Sequence, residues 1–248
     1  MLKKLSVAVL CASASLAIAE PQRAVLTTEN KFPELRQLEL GYDFYNREFE
    51  DFNYRSHELV ARYGLIENLT ARVHVPYDTN DPDFGDSESG LGDVRLGFDL
   101  VAYQDVFTYP YVIPHLDISF TTGDEDKGLG SEDGMYMFGV AFGTVTHDMF
   151  HWILDLSYAA NQGAKASDED DAFQVGISFI WDISERFTMG LEALVQDYQD
   201  TDNEPYLIGG GLTYKWTESL QSRVFLGGWQ EQESGEDQFF NFNTAYTF

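Results

Sequence analysis

The sequence predicts an all-β protein, a transmembrane antiparallel up-and-down β-barrel of about 12 strands. Three observations carry this reading. Apolar and polar residues alternate with period 2 along most of the chain, as in strands whose two faces meet different surroundings. The connections between alternating segments are by turns short and long, as in barrels that cross a lipid bilayer. After residue 19 no run approaches the length of a spanning apolar helix, roughly 20 residues.

The elements follow in order. Residues 1–19 read as a secretory signal peptide. Lys3 and Lys4 form its basic start, Leu5 to Leu16 its apolar body, and Ala17-Ile18-Ala19 the small-x-small cleavage site before Glu20. The single cysteine, Cys11, lies in this segment behind Leu10, which does not fit a lipoprotein site, so the exported chain holds no cysteine. Residues 20–34 carry Pro21 and Pro33 without clear alternation. They read as a periplasmic N-terminal segment that either plugs the lumen or lies along the periplasmic mouth. The barrel then occupies 35–248. Strands are expected near 35–48, 52–64, 68–77, 91–103, 109–121, 134–146, 149–160, 171–182, 186–198, 205–217, 220–231 and 237–248.

The last strand shows the pattern most plainly. Phe240, Phe242, Thr244, Tyr246 and Phe248 share one face, and Asn241, Asn243, Ala245 and Thr247 the other. Lipid offers the backbone no hydrogen bonds, so a chain without spanning helices must close its sheet. Aromatics near strand ends, among them Tyr63, Tyr77, Tyr103, Trp181 and Trp216, fit interfacial girdles. A soluble sandwich or lipocalin-like barrel is the alternative, with the apolar faces turned inward.

Composition narrows the function. The chain carries 15 Lys+Arg against 42 Asp+Glu, a formal charge of −27 that becomes −29 once the leader is removed. Such a chain does not track a nucleic-acid backbone. The acids are unevenly placed: 25 of the 42 fall in the windows 48–51, 78–88, 124–133, 168–171, 197–204 and 231–237, beside one base, Lys127. This predicts an acidic rim at the long-loop end, attracting cations and repelling anions. Asp124, Asp126, Asp168 and Asp170 are the positions where Ca²⁺ would find clustered oxygens, but no window has EF-hand spacing. The reading is a solvated rim with no metal site and no cofactor.

Ser89-Gly90-Leu91-Gly92-Asp93-Val94 and Thr122-Gly123-Asp124-Glu125-Asp126-Lys127-Gly128-Leu129-Gly130 resemble two stretches of the bacterial family labelled MetA-pathway of phenol degradation. Gly64-Leu65-Ile66-Glu67-Asn68-Leu69 is similar to a turn of that family, and Tyr246 and Phe248 resemble the C-terminal insertion signal of outer-membrane barrels. The resemblance implies a bacterial outer-membrane barrel, transporter-like or porin-like, for aromatic or otherwise hydrophobic compounds. It implies no catalytic residues. The expected partners are outer-membrane lipid and lipopolysaccharide, the barrel-insertion machinery and a small solute.

With the aromatic faces toward lipid, the opposite faces place Glu58, Arg62, Arg72, Asp93, Arg95, Asp99, His115, Asp117, Asp155, Glu192, Lys215 and Arg223 in the lumen. Arg62, Arg72 and Arg95 stand on consecutive strands beside Asp93, Asp99 and Asp117, which predicts a basic ladder facing acidic partners. Two uses are open: the constriction of a water-filled pore, or a salt-bridge network that fills a structural or adhesive barrel. A hydrolase using His115, Asp117 and Ser119 is a third alternative. Same-face neighbours on one strand stand about 6.5–7 Å apart, too far for the direct hydrogen bonds of a triad, so the chain is read as no enzyme.

Overall fold

The computed structural model describes residues 22–49, 52–104, 111–131, 133–147, 149–161, 171–198, 205–230 and 236–248. The stretch expected to be a signal peptide, with Cys11, and the acidic residues 168–170 lie outside these residues. The strands are β1 (Leu38–Glu48), β2 (Phe52–Ile66), β3 (Leu69–Pro82), β4 (Glu88–Leu91), β5 (Val94–Leu100), β6 (Tyr111–Phe120), β7 (Met135–Thr146), β8 (Phe150–Asn161), β9 (Ala172–Ser184), β10 (Phe187–Tyr198), β11 (Tyr206–Lys215), β12 (Leu220–Gln230) and β13 (Glu236–Thr247). Apart from β4 and β5, which do not pair with each other, each pairs antiparallel with its neighbours in sequence, and β1 pairs with β13, so the sheet closes. β4 and β5 both pair with β3 and form two halves of one crossing. The barrel therefore has twelve crossings.

Two strands depart furthest from their expected extents, the others by three residues or fewer. β3 runs on to Pro82, five residues beyond Tyr77, because Tyr77 to Asn80 pair with β4. The expected strand 91–103 is instead broken at Gly92–Asp93. Gly92 sits against the Asp78 side chain, where a Cβ would stand 1.8 Å from Oδ2, and its N–H bonds to Pro76 O at 3.0 Å. The backbone dips inward there and leaves the ladder. Residues 101–104 follow β5 with only a bridge from Tyr103 to Val112.

The faces follow the alternation. Leu40, Leu59, Phe138, Phe179, Leu191, Ile208, Leu226 and Phe248 stand exposed on the outside. Glu39, Asp43, Glu58, Arg62, Asp99, Asp155, Glu192 and Arg223 are buried inside. A soluble barrel would reverse this. Leu226 is 61% exposed near the middle of β12. Leu226→Lys should cost about 2–4 kcal/mol of folding stability in lipid vesicles. Urea titration of the vesicle-inserted protein measures it, and a change below about 0.5 kcal/mol would place that face in water.

One part of the inner surface is apolar. Tyr111, Ile113, Ala141, Ile153 and Ile180, from β6 to β9, cluster with Ala24 of the segment that precedes the barrel, and Phe32 and Val101 pack against them. Apolar residues turned inward need a cover, because a watered wall would leave about 1.5–3 kcal/mol per side chain unrealised. The cover is the N-terminal segment, which lies inside the barrel.

Candidate functional site

The N-terminal segment enters and leaves at the short-turn end and reaches up to the middle of the lumen. Arg23 meets Asp182 near the β9–β10 turn, and its Nη2 lies 3.2 Å from His151 Nε2. Further in, Glu192 on β10 accepts from Val25 N (2.9 and 3.0 Å to its two oxygens) and Leu26 N (2.8 Å). Thr27 Oγ1 lies 2.7 Å from Ser178 Oγ, and Thr28 N donates to Asp155 Oδ2 at 2.8 Å. On the return, Arg62 donates to Lys31 O at 2.7 Å, and Arg36 N bonds to Gly64 O at 2.8 Å. β12 holds the segment too, with Arg223 Nη1 donating to Ala24 O at 2.8 Å.

The segment is itself folded. Glu29, fully buried, accepts from the backbone N–H of Arg23 and pairs with its guanidinium at 3.5 Å. Gly176 on β9 makes room for it: a Cβ there would stand 2.8 Å from Thr27 Cγ2 and 3.2 Å from Leu26 O. Backbone donors of an irregular segment inside a barrel must find acceptors, and the inward carboxylates of Asp155 and Glu192 supply them.

The expected lumen residues thus divide by role. Arg62, Asp155, Glu192 and Arg223 hold the segment. His115 braces one of these, with Nε2 at 2.9 Å from Asp155 Oδ1. A second group forms a charge ladder on the wall β2–β6. Arg95 donates to Glu58 at 2.6 Å, His74 Nδ1 lies 3.0 Å from the other Glu58 oxygen, and Arg72 bridges Asp117 (2.7 Å) and Asp99 (3.2 Å). Arg62 pairs with Glu39 at 3.0 Å. Lys215 lines a cavity at the short-turn end with Arg23, Asp182 and Thr188.

Asp93 departs from the expected ladder. It lies at the β4–β5 break, and both its oxygens accept from the loop 122–131 rather than from an arginine. The His115–Asp117–Ser119 row points inward on β6, but Asp117 is engaged by Arg72 and His115 by Asp155, so the three form no relay. Among the described residues no group of three or more His, Cys, Asp or Glu is placed to hold a metal ion. Asp124 pairs with Lys127 at 3.3 Å, and Asp126 is exposed; Asp168 and Asp170 lie outside the described residues. Tyr246 and Phe248 face outward, ring centroids 4.7 Å apart.

Three cavities follow the barrel axis. A vestibule of about 660 Å³ opens at the long-loop end, walled by Tyr45, Phe49, Phe52, Tyr54, Leu129 and Phe239, with Val25 and Leu26 of the segment as its floor. Beside the segment lies a cavity of about 220 Å³ lined by Arg72, His74, Arg95, His115 and Asp117. Below it, at the short-turn end, lies the cavity of about 400 Å³ that holds Arg23 and Lys215. Gln22 lines the middle space and Arg23 the lower one, so the segment stands between them.

The residues of the segment were not singled out by sequence pattern, since 20–34 shows no periodicity. Their signal was indirect: a glycine, Gly176, and inward isoleucines on walls otherwise polar.

Solved structures with the same fold are bacterial outer-membrane barrels. An outer membrane channel from Pseudomonas putida F1 is 13% identical over 92% of this chain and 100% of its own, with a TM-score of 0.70. The NanC porin is 12% identical over 84% of this chain and 98% of its own, with a TM-score of 0.64. The KdgM porin in complex with disordered oligogalacturonate is 10% identical, covering 85% and 99%, with a TM-score of 0.62. No curated protein matches the chain. A family model does match, over residues 37–248, and the chain belongs to the family it describes, "Putative MetA-pathway of phenol degradation".

Proposed function

We propose that the protein is a channel of the bacterial outer membrane for passive passage of small solutes, closed in this conformation by its own N-terminal segment. The observation that carries this is the chain of three cavities along the axis, with Gln22, Arg23, Val25 and Leu26 of the segment standing between them. A barrel evolved solely as a filled scaffold has no use for a vestibule of this size leading to a charged passage. Family membership and the aromatic vestibule wall favour aromatic or otherwise hydrophobic solutes.

The short-turn end is assigned to the periplasm and the long-loop end, with its acidic rim, to the outside. Residues 1–19 are taken as the cleaved export signal, and Tyr246 and Phe248 as the contact for the insertion machinery. Outer-membrane lipid and lipopolysaccharide then surround the apolar band. The lumen groups are paired with one another or with the segment, and passage rather than catalysis is their assigned role.

Liposome swelling tests the reading. Proteoliposomes of the chain lacking residues 22–31 should admit small neutral solutes faster than protein-free vesicles, with uptake falling as solute size rises. Equal rates would favour the second reading, a filled structural barrel, which the dense hydrogen bonding of the segment supports.

A further inference from the structure

The two sequence stretches that resemble the family motif meet in space, around one carboxylate. Asp93 stands at the β4–β5 break, free of the strand ladder. Its Oδ1 accepts from Thr122 N (3.0 Å) and Gly123 N (2.9 Å), and its Oδ2 from Ser131 N and Ser131 Oγ (both 2.8 Å). The hydroxyl of Thr122 donates to Gly92 O at 2.8 Å and accepts from Val94 N at 2.9 Å. The break in the strand is thereby filled by the two feet of the loop 122–131.

The feet are also pressed together. A Cβ on Gly123 would stand 2.7 Å from Gly130 Cα, and one on Gly130 only 2.6 Å from Asp93 Oδ1, so both positions need glycine for this approach. Between them runs a short 3-10 turn, Glu125–Lys127, ended by Gly128 at φ 66. The loop then turns in. Leu129 is 3% exposed and touches the Gly90 position, and Gly128, Leu129 and Gly130 form part of the vestibule wall opposite Phe49, Phe52 and Phe239.

We propose that Asp93 is a positioning residue that clasps the loop 122–131 as a fixed lid, narrowing the outer entrance of the channel. A carboxylate holding four donors, three of them backbone N–H groups at both ends of one loop, makes charge-assisted bonds stronger than neutral ones. Losing it releases both feet at once. The entrance role rests on the channel reading above; the clasp itself does not.

The test uses Leu129→Cys, the exported chain having no other cysteine, and a bulky membrane-impermeant maleimide. With Asp93 intact, labelling should be slow. Adding Asp93→Ala should speed it about tenfold or more, and Asp93→Asn, which keeps one acceptor oxygen, should fall between. In parallel, Asp93→Ala in the cysteine-free chain lacking residues 22–31 should raise the solute size limit in liposome swelling. An unchanged labelling rate overturns the clasp. Faster labelling with an unchanged size limit overturns the lid. A chain lacking residues 22–31 that admits no solute overturns the channel reading and the entrance role with it, while labelling still decides the clasp. Should Asp93→Ala fail to fold, amide exchange in the unaltered chain decides: Gly123 and Ser131 should exchange more slowly than Glu125 and Asp126, and equal rates would refute the clasp.

Discussion

Deleting residues 22–31 should raise single-channel conductance several-fold while leaving the barrel folded. The segment fills the waist of the lumen, and its removal joins the cavities of about 220 and 400 Å³ that it now separates. The barrel should survive, because every strand pairing is made without the segment. Some stability is lost where the removal of Ala24 uncovers Ile113, Ile153 and Ile180.

Glu192→Ala is the finer version of the same experiment. It removes the acceptor for Val25 N, Leu26 N and Ser178 Oγ. Each stranded donor costs about 1–3 kcal/mol while the segment stays in place. A net loss of about 3 kcal/mol multiplies the segment-out population about a hundredfold. Brief openings absent from the parent recordings should appear. Identical traces in parent, deletion and Glu192→Ala chains would mean that the segment does not limit conduction.

The second large effect is expected at Arg72. Its guanidinium holds Asp117 and Asp99, and Asp99 is almost fully buried. Arg72→Ala leaves two carboxylates facing each other across the gap without their cation. Breaking a buried pair from one side costs about 3–5 kcal/mol, so the urea midpoint of the refolded barrel should fall markedly. The passage would also lose a positive charge beside the solute path. Its reversal potential in a salt gradient should move toward the cation equilibrium value, more so at low ionic strength. Arg72→Lys, which keeps the charge but not the fork geometry, should restore most of the selectivity and only part of the stability. An unmoved reversal potential in Arg72→Ala would remove the ladder from the conducting path.

The barrel was legible in the sequence because lipid and lumen impose opposite chemistry on alternate residues. Phe240, Phe242, Tyr246 and Phe248 against Asn241, Asn243 and Thr247 state both faces in nine positions. The reason to expect partners for Arg72 and Arg95 is the same: a charge on an inward face needs an opposite charge within one or two strands, and Arg72 finds Asp99 and Asp117. Register decides which one, and that is not visible in one strand read alone. Thus Arg95 meets Glu58 and not Asp93.

The break at Gly92–Asp93 escaped although the alternation changes phase there: Leu91 and Val94 are both apolar but three residues apart, which an unbroken strand would place on opposite faces. The N-terminal segment escaped for a different reason. An irregular chain held by side chains of distant strands leaves no period of its own. Its trace lies on the walls that receive it, in Gly176, Ile153, Ile180 and two inward carboxylates, Asp155 and Glu192, that serve backbone N–H groups instead of cations.

The most direct test of the central claim is a planar-bilayer recording of the refolded chain, beginning at residue 20, beside the chain lacking 22–31. A channel closed by its own N-terminal segment predicts small or rare current steps from the first and large, stable steps from the second. Silence from both, with each shown to be inserted, would contradict it and leave a barrel that conducts nothing.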